Sequence, residues 1–402
     1  MGLGLRIPRP SLGLAPDNKL MFWGMFFNEA GIGIFMTLWP LYIASLGASP
    51  AQIGFVIGFW GFARLLFLLP SGMLMDRFQP KTLILVARLG AILGFALLSI
   101  AQSWWHLFPG VILMAGSTAS FPVISSVVAD VAGRGRARVR AFTMILNVGP
   151  SAALLITPAL GGFLAEQISL RAIFIAAALF NIAGFIVFSR LSNREIIRQP
   201  GAPVTYSEAF RHGATRMILL LAFVVVFCSI LGVTLVPNLL QDVHDVSVGQ
   251  IGYLGSLAAV GSIGLGLILS NLKVFENSMF GYSLAVSSVA TALVLFVFGS
   301  SLWIFAIAFI LRGGLLATFS VMYATLSDVT PDRIRNRAYI VAEFMAGMGF
   351  ALAPFAAGWF FGIRPELPMT AGMIVLIPTI LFILWLARRN THNDDAQSAP
   401  TA

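Results

Sequence analysis

Of the 402 residues, 58 % are hydrophobic and 10 % are charged, with a formal net charge of +9. A soluble domain is nearer half apolar and a quarter charged, so this composition excludes a soluble globular protein. The basic residues lie in short segments between apolar runs and not on one basic face, which excludes nucleic acid as their reason.

The single cysteine, Cys228, sits inside an apolar run, so neither an intrachain disulfide nor a cysteine-cluster metal site is available. No metal or other cofactor is expected. The chain contains no Gly-Lys-Ser/Thr phosphate loop, no His-Glu-x-x-His and no Gly-x-Ser-x-Gly, so an ATP-driven pump, an intramembrane hydrolase and enzymes in general are not the reading. Residues 1–19 carry Arg6, Arg9 and Lys19 with three prolines and no apolar core, which reads as a cytoplasmic tail and not a cleaved signal.

Twelve apolar runs follow, at about 20–46, 51–73, 82–102, 106–131, 141–165, 169–190, 216–240, 250–271, 277–299, 302–328, 338–362 and 367–387. They are too long and too uniformly apolar for barrel strands, and helices satisfy their own backbone in lipid. The expected fold is therefore an all-α membrane protein of 12 transmembrane helices. With the N-terminus inside, the inner segments hold twenty of the 25 Lys and Arg residues, and the outer loops hold Arg171 and Arg364 alone. That asymmetry places both termini in the cytoplasm.

The chain also repeats at half its length. Gln52-Ile53-Gly54 opens span 2 and Gln250-Ile251-Gly252 opens span 8; Asp130 and Asp328 close spans 4 and 10; Arg140 and Arg337 open spans 5 and 11; Gly161 and Gly358 follow. All of these pairs are 197 or 198 residues apart. Two parallel six-helix pseudo-repeats are implied, with a N-terminal bundle at 20–190, a linker at 191–215, a C-terminal bundle at 216–389 and a disordered tail at 390–402. Within the linker, Ser207 to Arg211 has the pattern of a short capped surface helix.

Between spans 2 and 3 lies the charged stretch Gly72-Met-Leu-Met-Asp76-Arg77-Phe-Gln79-Pro80-Lys81. It resembles the signature loop of the major facilitator superfamily, Gly-x-x-x-Asp-Arg-x-Gly-x-Arg/Lys, with Gln79 in place of the second Gly. The resemblance covers about residues 18–389 and implies the major facilitator fold. It also implies a gating latch, in which Asp76 meets the start of span 11 and Arg77 meets Asp130 when the inner side is closed. Span 5 reads Asn147-Val-Gly149-Pro150 and then Pro158-Ala-Leu-Gly161-Gly162, similar to a helix signature of the antiporters in that superfamily. Leu311-Arg312-Gly313 resembles the family's Arg-containing signature of span 4, displaced to span 10. Span 4 itself has no Arg.

Two carboxylates lie clearly within spans. Glu29, beside Asn28, and Arg64 each sit about nine residues, or about 14 Å, from the inner end of their helices, so an ion pair between them is plausible. Intramembrane charges mark proton or solute sites by default. Glu343 has no basic residue obviously at its level and is the better proton site; Glu29–Arg64 would be the solute-side pair. Arg88 is read as snorkelling to the inner surface, and the basic runs 134–140 and 333–337 as anchors to anionic membrane lipids.

The sequence thus reads as a monomeric, multi-pass transporter of the cell membrane. It would move a small organic, hydrophobic or amphipathic solute by alternating access, with protons coupled to export. A proton symporter or facilitator importing a sugar or metabolite stays open through Asn28, Asn181 and Asn238. A non-transporting sensor or scaffold on the same fold is the reading from another class. The topology is directly testable. Ser49→Cys and Ser247→Cys should react with an impermeant thiol reagent from outside, and Gln79→Cys and Ser207→Cys only from inside. Labelling of Gln79→Cys in intact cells would overturn the orientation.

Overall fold

The structure is a computed structural model that describes residues 14–118, 120–132, 136–193, 210–271 and 277–398. Among these the regular elements are helices. Eleven are long and apolar enough to cross a membrane, and a bent pair at the start makes twelve.

In chain order the N-terminal half contains α1 (Pro16–Met36, bent by 51° into Trp39–Ser45), α2 (Pro50–Arg77), α3 (Pro80–Ser99), α4 (Leu107–Ser117 and Ser120–Val131), α5 and α6 (Ala172–Ser189). α5 comprises Arg136–Thr143, a π segment Met144–Val148 and Gly149–Gln167. The second half contains α7 (Gly213–Val233 and Val236–Asp242), α8 (Val248–Asn271), α9 (Ser278–Phe298), α10 (Leu302–Arg312 and Gly314–Val329), α11 (Asp332–Ile363) and α12 (Leu367–Ser398). α12 runs past the 389 boundary expected for the bundle. No Gly or Pro interrupts 390–398, so nothing in that stretch terminates the helix. Residues 194–209, including most of the expected surface helix, and 272–276 lie outside the described residues.

Proline sets several of the breaks. A proline clashes with the carbonyl four residues before it and offers no N–H to that carbonyl. Pro40, Pro122 and Pro237 stand four residues after Met36, Thr118 and Val233, where α1, α4 and α7 are interrupted; Pro150 likewise follows Leu146 in the π segment of α5. α10 breaks instead at Gly313, between Arg312 and Gly314.

The internal repeat acquires a structural meaning at the starts of α2 and α8. The Ser49 N–H donates to Gln52 Oε1 at 2.8 Å, and the Ser247 N–H donates to Gln250 Oε1 at 3.0 Å. The recurring Gln is thus the third residue of a capping box in both halves. The recurring Gly two residues later is a crossing point. A Cβ on Gly54 of α2 would strike the Pro354 carbonyl and Gly358 of α11. A Cβ on Gly252 of α8 would strike the Pro158 carbonyl and Gly162 of α5. These are the same crossing made twice, once by each half, as a two-fold axis along the membrane normal requires.

Both crossings lie at the end of the bundle opposite the termini. The Ala159 N–H donates to Ser256 Oγ at 3.0 Å, and Gly255 lies against Thr37, also at that end. One apolar core there runs continuously from Ile34, Phe35 and Trp39 of α1 into α7, α9 and α11. At the terminal end the first half keeps a separate core of Met21, Phe22, Met25, Ile84, Val123, Ile145 and Phe188. The terminal-end stretch of α8 is open: Gly264 and Gly266 have nothing within 4 Å of a Cβ position, and Leu267 and Ile268 are exposed. The halves are joined at the far end and parted at the terminal end.

Gly252→Val should therefore disfavour this arrangement by about 1–3 kcal/mol, the usual cost of overpacking a tight contact. Spin labels at Gln102 and Ser301, in far-end loops of the two halves, should move apart in the variant. An unchanged distance distribution in a folded variant would mean the crossing does not hold the far end shut.

Candidate solute and proton site

α3 buries Ile84, Arg88, Ala91, Phe95 and Leu98 along one stripe. Arg88 therefore points into the half and is 3 % exposed; it does not snorkel to the surface as the sequence alone indicated. Its guanidinium donates to Ser120 Oγ at 2.9 Å, to the Ser117 carbonyl at 3.1 Å and to Asn181 Oδ1 of α6 at 3.5 Å. The physical reason lies in the break of α4. Pro122 interrupts the helix, leaving carbonyls unpaired at the negative end of the first segment, and a cation at that end satisfies both needs.

Glu29 lies on α1, partly accessible, and accepts a hydrogen bond from Asn28 Nδ2 at 3.1 Å. Arg88 is the cation acting on it most strongly, ahead of Arg64. Glu29 forms no direct ion pair among the described residues, so the expected Glu29–Arg64 bridge is replaced by longer-range compensation centred on Arg88. Arg64 itself is exposed on α2. Asn181 also donates to the Ala177 carbonyl at 2.9 Å, and Gly31 of α1 lies against its amide. Asn28 and Asn181 are thereby committed to internal bonds, and Asn238 is buried.

The second half is built differently. Arg312 ends the first segment of α10 and sits over the Phe309 ring at 5.2 Å. Gly313 and Gly314 let α10 pass close to α8 and to Ser288 of α9. On α11, Glu343 is exposed and accepts a hydrogen bond from the Tyr323 hydroxyl of α10. No Lys or Arg pairs with it among the described residues. Arg88 thus acts on Glu29 through space in the first half, whereas in the second Glu343 is held by a tyrosine and not by Arg312.

The remaining sequence-derived residues fall into two groups. Gly149 packs against Phe22, Gly161 against the Ile34 carbonyl and Gly162 against α8, while Pro150 and Pro158 shape α5. Only the Pro158–Gly162 part of the antiporter-like segment of α5 belongs to the far-end closure; Gly149 packs within the first half. In the signature stretch, α2 ends at Arg77, and Phe78 and Gln79 turn the chain in extended conformation into α3. Gln79 has φ −63°, so the turn needs no glycine, and Pro80 holds the residue before it extended. Lys81 Nζ donates to the Leu191 carbonyl at 2.8 Å. Arg77 and Asp130 are exposed and form no pair with each other in this arrangement. The side chains of Gly72 and Asp76 lie outside those described.

Two six-helix halves, charged groups at membrane depth and closure at one end define the class of secondary membrane transporters. The chain belongs to the Major Facilitator Superfamily, whose family model matches residues 21–274 and 219–401. It is a multi-pass protein of the cell membrane, in a family of transporters and not of enzymes. It is similar to the Tetracycline resistance protein, class B, of Escherichia coli, 29 % identical over 174 residues, 42 % of this chain and 43 % of that protein. The match spans less than half of that relative's length. The Enterobactin exporter EntS of Shigella flexneri is 24 % identical over 401 residues, 93 % of each chain. Among solved structures, a bacterial homolog to the human lysosomal transporter Spinster, in an inward-facing and unoccupied conformation, superposes with a TM-score of 0.69 at 15 % identity. That superposition covers 92 % of this chain and 96 % of that one.

Arg88→Leu should be destabilising, by about 1–3 kcal/mol, because it takes the donor from buried acceptors on α4 and α6. Thermal unfolding in detergent should show a larger loss than for Arg64→Leu, and Arg88→Lys should recover part of it. Equal midpoints for Arg88→Leu and the parent would mean the guanidinium bears no structural load.

Proposed function

We propose that this chain is a secondary active transporter that carries a small organic, hydrophobic or amphipathic solute by alternating access, coupled to protons and directed to export. The observation that carries it is the split core, continuous between the halves at the far end and divided at the terminal end. Two rigid halves joined at one end can rock about a site between them. With both termini cytoplasmic, as the Lys and Arg distribution indicates, this arrangement faces inward, like the similar Spinster homolog. The Asp76 and Arg77 latch then belongs to the opposite state. Export is favoured by the relatives, since one confers tetracycline resistance and another exports enterobactin.

The proton would be carried by a carboxylate within the spans, and Glu343 is the one with open access and, among the described residues, no basic partner. The chain acts as a monomer among its lipids. A sugar or metabolite importer is less well supported, because two of its three amides are tied to Glu29 or Arg88 and the third is buried.

In liposomes with an imposed pH gradient, the purified protein should drive accumulation of at least one apolar test solute, with tetracycline and neutral dyes as the first panel. Glu343→Gln should abolish the response to the gradient while exchange of an uncharged solute continues. No flux of any solute above that of empty liposomes would overturn the transport reading; undiminished gradient response in Glu343→Gln would make a solute-driven facilitator the better one.

A further inference from the structure

The two carboxylates within the spans are not equivalent. Glu29 accepts a hydrogen bond from Asn28 and feels the charge of Arg88, which is itself held by three hydrogen bonds, and more weakly that of Arg64. Among the described residues, Glu343 has only the Tyr323 hydroxyl. It stands eleven residues into α11 and five residues, about 8 Å at 1.5 Å per residue, into the apolar run that begins at 338. A carboxylate within an apolar span is expensive unless it is paired.

Its direction follows from the helix. At 100° per residue, Tyr339, Glu343 and Phe350 share one sector of α11. The exposed Leu352 and Trp359 lie roughly half a turn away, where lipid would be. Gly347 faces Leu65 of α2, and Gly349 faces Phe227 of α7. The Glu343 sector thus lies between α2 and α7 and looks toward α10 and the parting between the halves.

The groups around Glu343 are rings. Tyr323 of α10 and Tyr339 of α11 meet edge to face, with centroids 5.6 Å apart and planes at 88°. Further along the same pair of helices, Phe319 and Phe350 stack at 5.9 Å and 15°. An accessible carboxylate beside two perpendicular tyrosines is the chemistry that receives a cation with apolar substituents. The negative ring faces attract the charge, and the carboxylate neutralises it. We propose that Tyr323, Tyr339 and Glu343 form a binding site for an organic cation, with Phe319 and Phe350 as the apolar wall that takes its hydrocarbon part.

The assignment rests on the transport reading and narrows its solute class to lipophilic amines or onium ions. Proton and solute then use one carboxylate. Equilibrium binding of tetraphenylphosphonium to the purified full chain tests it, with the neutral triphenylphosphine oxide as a comparison of related shape. The parent should bind the cation more tightly than the oxide. Glu343→Gln, which can keep the Tyr323 hydrogen bond, should weaken cation binding about tenfold or more and leave the oxide unchanged. Tyr339→Leu should cost about threefold, and Tyr339→Phe should retain affinity, since a ring face and not a hydroxyl is required. Equal cation affinity in the parent and a folded Glu343→Gln, or no cation binding by the parent, would overturn the proposal. Gradient-driven flux of an uncharged solute by the parent would still stand in that case, which separates this failure from failure of the transport reading.

Discussion

Everything in this fold depends on two backbone-to-backbone crossings between the halves, Gly54 against the Pro354 carbonyl and Gly252 against the Pro158 carbonyl. Lipid offers no hydrophobic drive for helices to associate, so close approach and dispersion must do it. Removing the side chains at the crossing allows that approach. On α2 that approach continues from Gly54 through Gly58 and Gly61, whose Cβ positions would strike the backbone of α11 at Ala351 and Phe350. Towards the terminal end α8 has open positions at Gly264 and Gly266, which leaves that end free to part.

The halves share a topology and divide the electrostatics unequally. In the first, a buried guanidinium holds the broken α4, bonds α6 and offsets the charge on α1. Three helices are thereby fixed around one cation. In the second, the corresponding break in α10 is accommodated by glycines, and the cation there lies on a phenylalanine ring. The acid on α11 is left to a tyrosine. One half ties its buried cation to three neighbouring acceptors, whereas the other presents a carboxylate and aromatic rings that a solute can complete.

Much of the architecture was legible in the sequence, because the signals were those of membrane physics. Run length gave the spans, and the 197–198 residue repeat gave the two halves. Gln52 and Gln250 stood out as repeats, although only the structure shows them to be capping residues. Arg88 was misread. Counted from the helix end, it looked able to reach the surface, yet it stands in register with Ile84, Ala91, Phe95 and Leu98, an apolar stripe visible in the sequence. The run Ser117-Thr-Ala-Ser120 before Pro122 was the second clue, since small hydroxyl residues before a proline mark a helix whose carbonyls need a donor. Glu29–Arg64 was a pairing by depth alone, and depth does not fix azimuth. Tyr323 as the partner of Glu343 had no signal in spacing, because the two residues belong to different helices.

The π segment of α5 breaks the symmetry between the halves in another way. Its wider turn, Met144–Val148, inserts about one residue beyond the α-helical count, which rotates everything on one side of it by about 100° relative to the other. α11, its counterpart, is a single helix of 32 residues with Pro354 inside it and no π segment. When the ends of the molecule exchange their spacing, α11 can bend at Pro354 but keeps one helical phase along its length. α5 has a joint where phase can be redistributed along the helix, so the two arms of the pseudo-symmetric pair differ in torsional compliance even though their far-end contacts match.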